Sequence, residues 1–545
     1  METIADLVLA RADDDRVGLR CDDTSLAWSA VVDECRRRAS WLRSRLDPDR
    51  PPHVGVLLDN DPEFVFLLGG AALAGAVIVG INPTRRGTEL ARDIVHTDCR
   101  LVVTDTAHRD ALLTGLDLGA AEIVVVDGDD YRGELAAADP TIAAALPSPD
   151  DLFLLLFTSG STGAPKAVKM SQGRAGRTSA NSTFSADDVL YCAMPLFHGN
   201  ALHASVFPAL RSGATLVLRR RFSASEFLPD VRRFGATFFN TVGRALGYIL
   251  ATPETDEDRD HSVKYALGPE ASQADIRAFR KRFGIPVIEG YGSSENAIIM
   301  VPVPGMPRGS LGRPMDGLDV LVADPLTRAE CPPAEFDTEG RLLNADVAVG
   351  ELASRNSLSR FEGYYKNPEA EAERARGGWY WSGDLAYRDA DGWFYFAGRA
   401  GDWLRVDGEN FAAAPIDRIL ARWEPAAAVA VFGVPDTVTG DQVMAAIELR
   451  TRSGPFDPAV FAAFLAAQPD LGTKWAPRFV RIVGHLPTTG TNKIDKQPLR
   501  RAAWRTDDEI WWRPARAARY HRFTFADRTA LDDALAANQR TALLP

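Results

Sequence analysis

Short, continuously apolar runs at 54–58, 76–79, 101–103, 123–126 and 152–156 punctuate the first part of the chain, with stretches of helical periodicity between them. Runs that are apolar throughout, instead of alternating, belong to strands buried on both faces, and strands separated by helices belong to parallel βαβ units. Further strands are predicted at 215–218 and 237–242, and 263–270 ends another with a Gly-Pro break. From 402 to 503 the texture changes: a helix pattern at 415–423, strands at 429–432 and 443–449 joined by a turn through 436–440, a helix at 459–467 and a strand at 479–483. The pattern predicts an α/β fold, with a large N-terminal domain of β-sheets packed with helices and a small, mobile α+β C-terminal domain.

One stretch tests that reading. Residues 64–81 carry no charge, which is the lower limit for a membrane span. The stretch is rich in Gly and Ala, and Gly75 ahead of 76–79 reads better as a helix end feeding a buried strand.

Composition narrows the class. The chain has 545 residues, a net charge of −12 and 25% charged residues, which opposes a general nucleic-acid role because phosphate contacts need clustered Lys and Arg. The five cysteines contain no C-x-x-C pair, so neither a disulfide framework nor a zinc site is indicated, and a cytoplasmic setting fits. The start, Met1-Glu2-Thr3-Ile4-Ala5-Asp6, lacks the basic end and apolar core of a signal peptide.

The candidate chemistry begins where the run at 152–156 empties into Phe157-Thr158-Ser159-Gly160-Ser161-Thr162-Gly163-Ala164-Pro165-Lys166. Backbone N–H groups, hydroxyls and a cation offered together make a phosphate cradle, although the same composition also suits a surface loop. It is not a Walker A loop, since Pro165 precedes Lys166 and Ala167 follows it. Downstream, Tyr291-Gly292-Ser293-Ser294-Glu295 supplies a ring that can stack on a base, hydroxyls, and a carboxylate suited to Mg2+. A third segment, Gly378-Trp379-Tyr380-Trp381-Ser382-Gly383-Asp384, precedes a predicted hairpin that turns at Asp391-Gly392 and ends at Arg399.

The order and content of these blocks resemble the adenylate-forming superfamily of acyl-CoA synthetases, luciferases and peptide-synthetase adenylation domains. Residues 157–166 match its phosphate-binding motif throughout, and 291–295 match its Tyr-Gly-x-Ser/Thr-Glu motif. The resemblance implies that Thr158, Ser159, Gly160, Ser161, Thr162, Gly163 and Lys166 hold the phosphates, and that Tyr291, Gly292 and Ser294 contact the nucleotide. It further implies Glu295 and Thr158 at Mg2+, and Asp384 and Arg399 at the ribose. His198, in Pro195-Leu196-Phe197-His198-Gly199, and Gly268, at the end of a strand, correspond to the acyl channel, as does Gly408 in Gly408-Glu409-Asn410 for the acyl or coenzyme A path. The spacing of His198 and His203 does not match H-E-x-x-H, so no metal is inferred from them.

The same resemblance divides the chain into an adenylation domain at 1–399, a mobile domain at 400–503 and an extension at 504–545 packed on the latter, with Gly401 and Asp402 as the hinge. Glycine at the hinge permits a backbone swivel at little cost. Pro487-Thr488-Thr489-Gly490-Thr491-Asn492-Lys493 matches the family's lysine loop with Asn492 in place of a glycine, which makes Lys493 the candidate catalytic lysine. With Thr158 and Glu295 it forms the catalytic set. The aromatic-rich tail and Gly408-Glu409-Asn410 resemble the very-long-chain acyl-CoA synthetase or fatty-acid transport protein branch.

The function this implies is an ATP-dependent acyl-CoA synthetase: carboxylate and ATP give an acyl-adenylate, then coenzyme A gives the thioester. ATP, Mg2+ and coenzyme A are the expected cofactors and co-substrates, a fatty or related carboxylic acid the substrate, and no nucleic acid a partner. Peripheral membrane association and a homodimer are compatible with the sequence. The alternatives are a fatty acyl-AMP ligase that loads a carrier protein, a membrane-associated fatty-acid transport protein, and a binding module without catalysis.

Overall fold

A computed structural model describes residues 2–541 except 142–146, 159–165, 181, 243–244, 269–272, 308, 339–341, 400–402, 407–408, 439, 452, 473, 490–492, 515–518 and 539. The uncharged stretch resolves into a helix, Pro62–Ala74, and a strand, Val77–Gly80, both buried along most of their length. Asp61 caps the helix by accepting the Glu63 N–H, and Pro62 opens it, where a missing N–H is no loss. Gly75 closes it at φ 73°, a left-handed conformation that other residues rarely reach. Among the described residues, no helix is long and apolar enough to cross a membrane.

The chain folds into two units. The larger comprises Met1–Ala297 and Ser359–Glu373. Its first sheet runs in the order Glu122–Val125, Leu101–Thr104, His53–Leu57, Val77–Gly80, Leu152–Thr158 and Lys166–Ser171. The first five strands are parallel and the last is antiparallel. The second sheet runs Val287–Ile288, Tyr265–Leu267, Phe238–Asn240, Val189–Cys192, Thr215–Leu218, Val17–Cys21 and Thr24–Ala27, parallel except for the last pair. Leu154 and Leu156 of the first sheet share one core with Leu190 and Cys192 of the second and with the helix Pro62–Ala74. Each outer face has its own cluster: Tyr191, Val217 and Phe239 under the helices Phe227–Phe234 and Gln273–Phe283, and Leu57, Val79 and Val102 under Gly87–His96. The α/β expectation therefore holds. In such sheets ligands bind beyond the carboxyl ends of the strands, which here are Gly80, Thr158, Asn240 and Leu267.

The second unit comprises Ile298–Leu358, Arg374–Thr489 and Lys493–Pro545. Val320–Ala323, Gly350–Ser354, Trp379–Arg388 and Phe394–Arg399 form an antiparallel sheet. Trp403–Val406 pairs with Glu409–Ala412, and a second sheet runs Ala426–Pro435, Asp441–Leu449, Phe479–Val483, Glu509–Trp512 and His521–Arg522. Trp504 and Leu535 share a buried cluster with Phe432 and Phe479, so the last segment of the chain belongs to this core. Its helix, Phe525–Ala537, starts on a reciprocal cap between Thr524 and Asp527.

Candidate active site

The strands Leu152–Thr158 and Lys166–Ser171 pair antiparallel with Thr158 opposite Lys166. The two ends of the phosphate loop therefore meet, while Ser159, Gly160, Ser161, Thr162 and Gly163 lie outside the described residues. Thr158 Oγ1 donates to the Lys166 carbonyl at 3.5 Å. The Lys166 ammonium, on a side chain that is largely buried, is 3.0 Å from Glu373 Oε2 and 6.0 Å from the ring centre of Tyr364.

Tyr364 links this lysine to the second motif. Its hydroxyl donates to Glu295 Oε1 at 2.7 Å, and both side chains are buried. Glu295 is delivered by a tight turn in which Asn296 takes φ 50° and donates its N–H to Ser293 O at 2.9 Å. Asn is the residue type, after glycine, that best tolerates this conformation. Tyr291 and Ser294 keep part of their surface and Gly292 is exposed. Tyr364 itself is fixed by backbone. Lys169 N donates to Gly363 O at 3.0 Å, Tyr365 N to Ala167 O at 2.8 Å, and Tyr364 N to Glu371 Oε1 at 2.7 Å. Sequence reasoning missed Tyr364, Glu371 and Glu373. The signal available was Gly363-Tyr364-Tyr365 ahead of Asn367-Pro368, which pairs along the outer edge of the phosphate-loop hairpin.

A cation and a carboxylate on either side of one buried tyrosine suit a polyanion with a hard divalent cation. Among the described residues, no group of three or more His, Cys, Asp or Glu could hold a metal. A divalent ion at Glu295 would thus complete its oxygen shell from phosphate and water, as Mg2+ does on nucleotides.

In the second unit, Asp384 and Arg399 stand directly opposite each other across antiparallel strands. Asp384 is buried, and its N–H donates to Ser382 Oγ at 3.1 Å. Lys493 leaves a loop whose ends are pinched together, with Thr489 N donating to Lys493 O at 2.7 Å and Lys493 N to Thr489 Oγ1 at 3.3 Å. The pinch holds the backbone of the lysine although Asn492 stands where the family has glycine. Gly401, Asp402 and Gly408 lie outside the described residues.

At the acyl-channel positions, the Phe197 backbone lies on Gly80: a Cβ there would meet Phe197 O at 2.6 Å. Glycine at the strand end thus permits the chain before His198 to cross the first sheet closely. His198 precedes the helical segments Gly199–Ala201 and Leu202–Val206 and is part-exposed. Gly268 is explained by packing, since a Cβ would meet Val287 Cγ1 at 2.7 Å. Two residues beyond the motifs add polarity here. Asn240 donates to Asn200 Oδ1 at 2.8 Å, and burial pushes the His203 imidazole down to about 4, with the Arg174 guanidinium adding to the effect.

Comparison with known proteins agrees with the geometry. The chain is 51% identical over 545 residues to the steroid-22-oyl-CoA synthetase of Rhodococcus jostii (strain RHA1), covering 97% of this chain and 96% of the relative. It is 43% identical over 514 residues to the medium/long-chain-fatty-acid–CoA ligase FadD17 of Mycobacterium marinum, covering 93% and 98%. Among solved structures, a benzoate CoA ligase from Burkholderia xenovorans LB400 superposes with a TM-score of 0.79 at 21% identity, covering 92% of this chain and all of that one, which shows the shared fold. The AMP-binding enzyme model matches residues 8–365 and its C-terminal domain model residues 416–493, so the chain belongs to the AMP-binding enzyme family, the adenylate-forming enzymes its motifs resemble.

Proposed function

We propose that this enzyme is an ATP-dependent acyl-CoA synthetase acting on large, mainly apolar carboxylic acids. The observation that carries the site assignment is the chain Lys166, Tyr364, Glu295, which sets a cation and a carboxylate beside the phosphate-loop ends. The names of the relatives at 51% and 43% identity support the substrate class, which spans steroid acids and medium- to long-chain fatty acids.

In the first half-reaction a carboxylate oxygen attacks the α-phosphorus of ATP and the bond to the pyrophosphate oxygen breaks. Both reactants are anions, so their approach needs positive charge fixed in advance. Lys166 and the loop 159–163 receive the pyrophosphate, and Lys493 supplies a point charge where bonds exchange. Asp384 and Arg399 hold the ribose, and Tyr291, Gly292 and Ser294 the remaining nucleotide. Mg2+ would sit on Glu295 and the Thr158 hydroxyl, where it neutralises charge on the phosphates. In the second half, the thiol of coenzyme A attacks the acyl carbonyl, AMP leaves and the thiol proton passes to solvent. Lys493 withdraws for this step by a swing at Gly401 and Asp402, which divides the chain at 399/400 in function. His198, Gly268 and Gly408 border the acyl and thiol paths.

The deciding experiment is carboxylic-acid-dependent pyrophosphate release across a panel of steroid and fatty acids, followed by thioester formation with coenzyme A or a carrier protein. Release with no acid removes the synthetase reading, and transfer to the carrier protein alone replaces it with an acyl-AMP ligase. Peripheral membrane association and a homodimer belong to the same proposal; vesicle co-sedimentation and particle mass test them.

A further inference from the structure

Along the helical segments that follow His198, Gly199, Ala201, Leu202, Ser205 and Val206 are buried, whereas Asn200, His203 and Ala204 keep part of their surface. Positions three and four apart lie on one helical face, so the accessible residues form a single strip. The strip leans on the carboxyl end of the strand Phe238–Asn240, because Asn240 Nδ2 donates to Asn200 Oδ1 at 2.8 Å. Asn240 is wholly buried, and among the described residues its own Oδ1 has no hydrogen-bond partner. A buried amide oxygen left unmet is costly and calls for a ligand or a role.

His203 provides a second unmet acceptor. Its Nδ1 lies 3.0 Å from Thr178 Oγ1, and that hydroxyl donates to Ala175 O at 2.7 Å. With its one hydrogen committed to the shorter contact, Thr178 receives the Nδ1 hydrogen of His203. Nε2 is then the bare nitrogen of a neutral ring. Nε2 is buried, with no hydrogen-bond partner among the described residues, 3.4 Å from where a Cβ on Gly199 would stand.

Two acceptors without donors among the described residues, one on this strip and one on the strand end it leans on, select for a hydrogen-bond donor. A methylene chain offers none and a ketone only acceptors. A hydroxyl donates to Asn240 Oδ1 or His203 Nε2, and its oxygen can receive an Nδ2–H of Asn200. We infer that Asn200, Asn240 and His203 read a hydroxyl carried by the acyl group at a distance from its carboxylate. The inference rests on the acyl-CoA synthetase reading and narrows its substrates from apolar acids to hydroxylated ones.

The test uses the full-length chain and matched acids: a steroid-ring carboxylic acid with and without a hydroxyl on the ring farthest from the carboxylate, and a long-chain fatty acid with and without a terminal hydroxyl. Pyrophosphate release gives kcat/KM for each. Wild type should prefer a hydroxylated acid over its parent by about tenfold or more. Asn240→Leu and His203→Phe should each bring that ratio toward unity, chiefly through the hydroxylated acid. Asn200→Ala, at a part-exposed position, gives the same readout should the buried substitutions prevent folding. Equal wild-type rates within every pair overturn the inference. So do variants that lower both members of a pair by one factor, which is what a purely structural role produces. No release with any acid removes the synthetase reading, and the inference with it; release that ignores the hydroxyl removes the inference alone.

Discussion

Lys166 and Glu373 form an ion pair of 3.0 Å in which the lysine side chain is 9% exposed and the glutamate 62% exposed. Two residues earlier, Glu371 is fixed by the Tyr364 N–H at 2.7 Å and by Lys169 at 3.3 Å. The two carboxylates differ accordingly: one is built into the hairpin edge, and the other rests on the phosphate-loop lysine with its outer side in water. If Lys166 binds phosphate as proposed, that phosphate competes with Glu373 for the ammonium. Glu373→Gln should therefore tighten pyrophosphate and ATP binding, by about two- to fivefold for a pair of this exposure, with kcat little changed. Titration calorimetry on the ligand-free protein measures it. Weaker binding would mean that Glu373 positions the lysine instead of competing for it, and Lys166→Ala, which should weaken binding of both ligands, separates that outcome from a wrong assignment of the lysine.

The Tyr364 hydroxyl donates to Glu295 inside the protein, where a hydrogen bond to a charged partner is worth about 1.5–3 kcal/mol. Tyr364→Phe keeps the ring beside Lys166 and deletes only that donor. Adenylation should fall by roughly 10- to 100-fold, the rate equivalent of that energy. Because Glu295 is the proposed carboxylate for Mg2+, the variant should also need a different MgCl2 concentration for half-maximal rate. A full rate at wild-type MgCl2 dependence would detach Tyr364 from the site.

Most of the fold was legible because buried parallel strands write themselves as unbroken apolar runs. The runs at 54–58, 101–103 and 123–126 fall on the strands His53–Leu57, Leu101–Thr104 and Glu122–Val125. Gly75 announced the helix end for a steric reason that needs no tertiary context. The phosphate loop and Glu295 could be proposed as site residues from sequence because several functional residue types stand side by side there. Tyr364, Glu373, Asn200 and Asn240 were not. Each acts through a partner far along the chain, Tyr364 and Glu295 being 69 residues apart, Lys166 and Glu373 207, and Asn200 and Asn240 40, and periodicity carries no record of such pairs. Contacts also group 298–358 and 374–399 with the C-terminal residues, a division that no composition shift marks.

Lys493 and Gly401 offer a kinetic separation. If the lysine serves adenylation alone, Lys493→Ala should lose about 10²–10³ in the rate of acyl-adenylate formation while a supplied acyl-adenylate still passes to coenzyme A. Gly401→Pro, by stiffening the pivot, should do the reverse. The two half-reactions are followed separately, by pyrophosphate exchange and by AMP release. Equal losses in both halves for either variant would contradict the division of labour.

The His203 ring supplies a pH prediction. Burial, with repulsion from Arg174, pushes its pKa down to about 4 from 6.5. A folded-state pKa below the unfolded one means that the neutral ring contributes stability above pH 6.5, and that this stability is lost as pH falls through 4. Asp93 works in the opposite sense over part of the same window. Burial raises it to about 6, so its contribution is complete below pH 3.8 and lost as pH rises through 6. A whole-protein curve mixes the two, so the measurement is a difference. Urea unfolding of wild type and His203→Phe between about pH 3 and 7 cancels Asp93 and leaves the histidine. Wild type should lose stability relative to the variant as pH falls from 6.5 to 4, and the difference should level off below. A flat difference would show that the imidazole ionises as freely in the fold as in water, so that burial does not hold the ring neutral between pH 4 and 6.5.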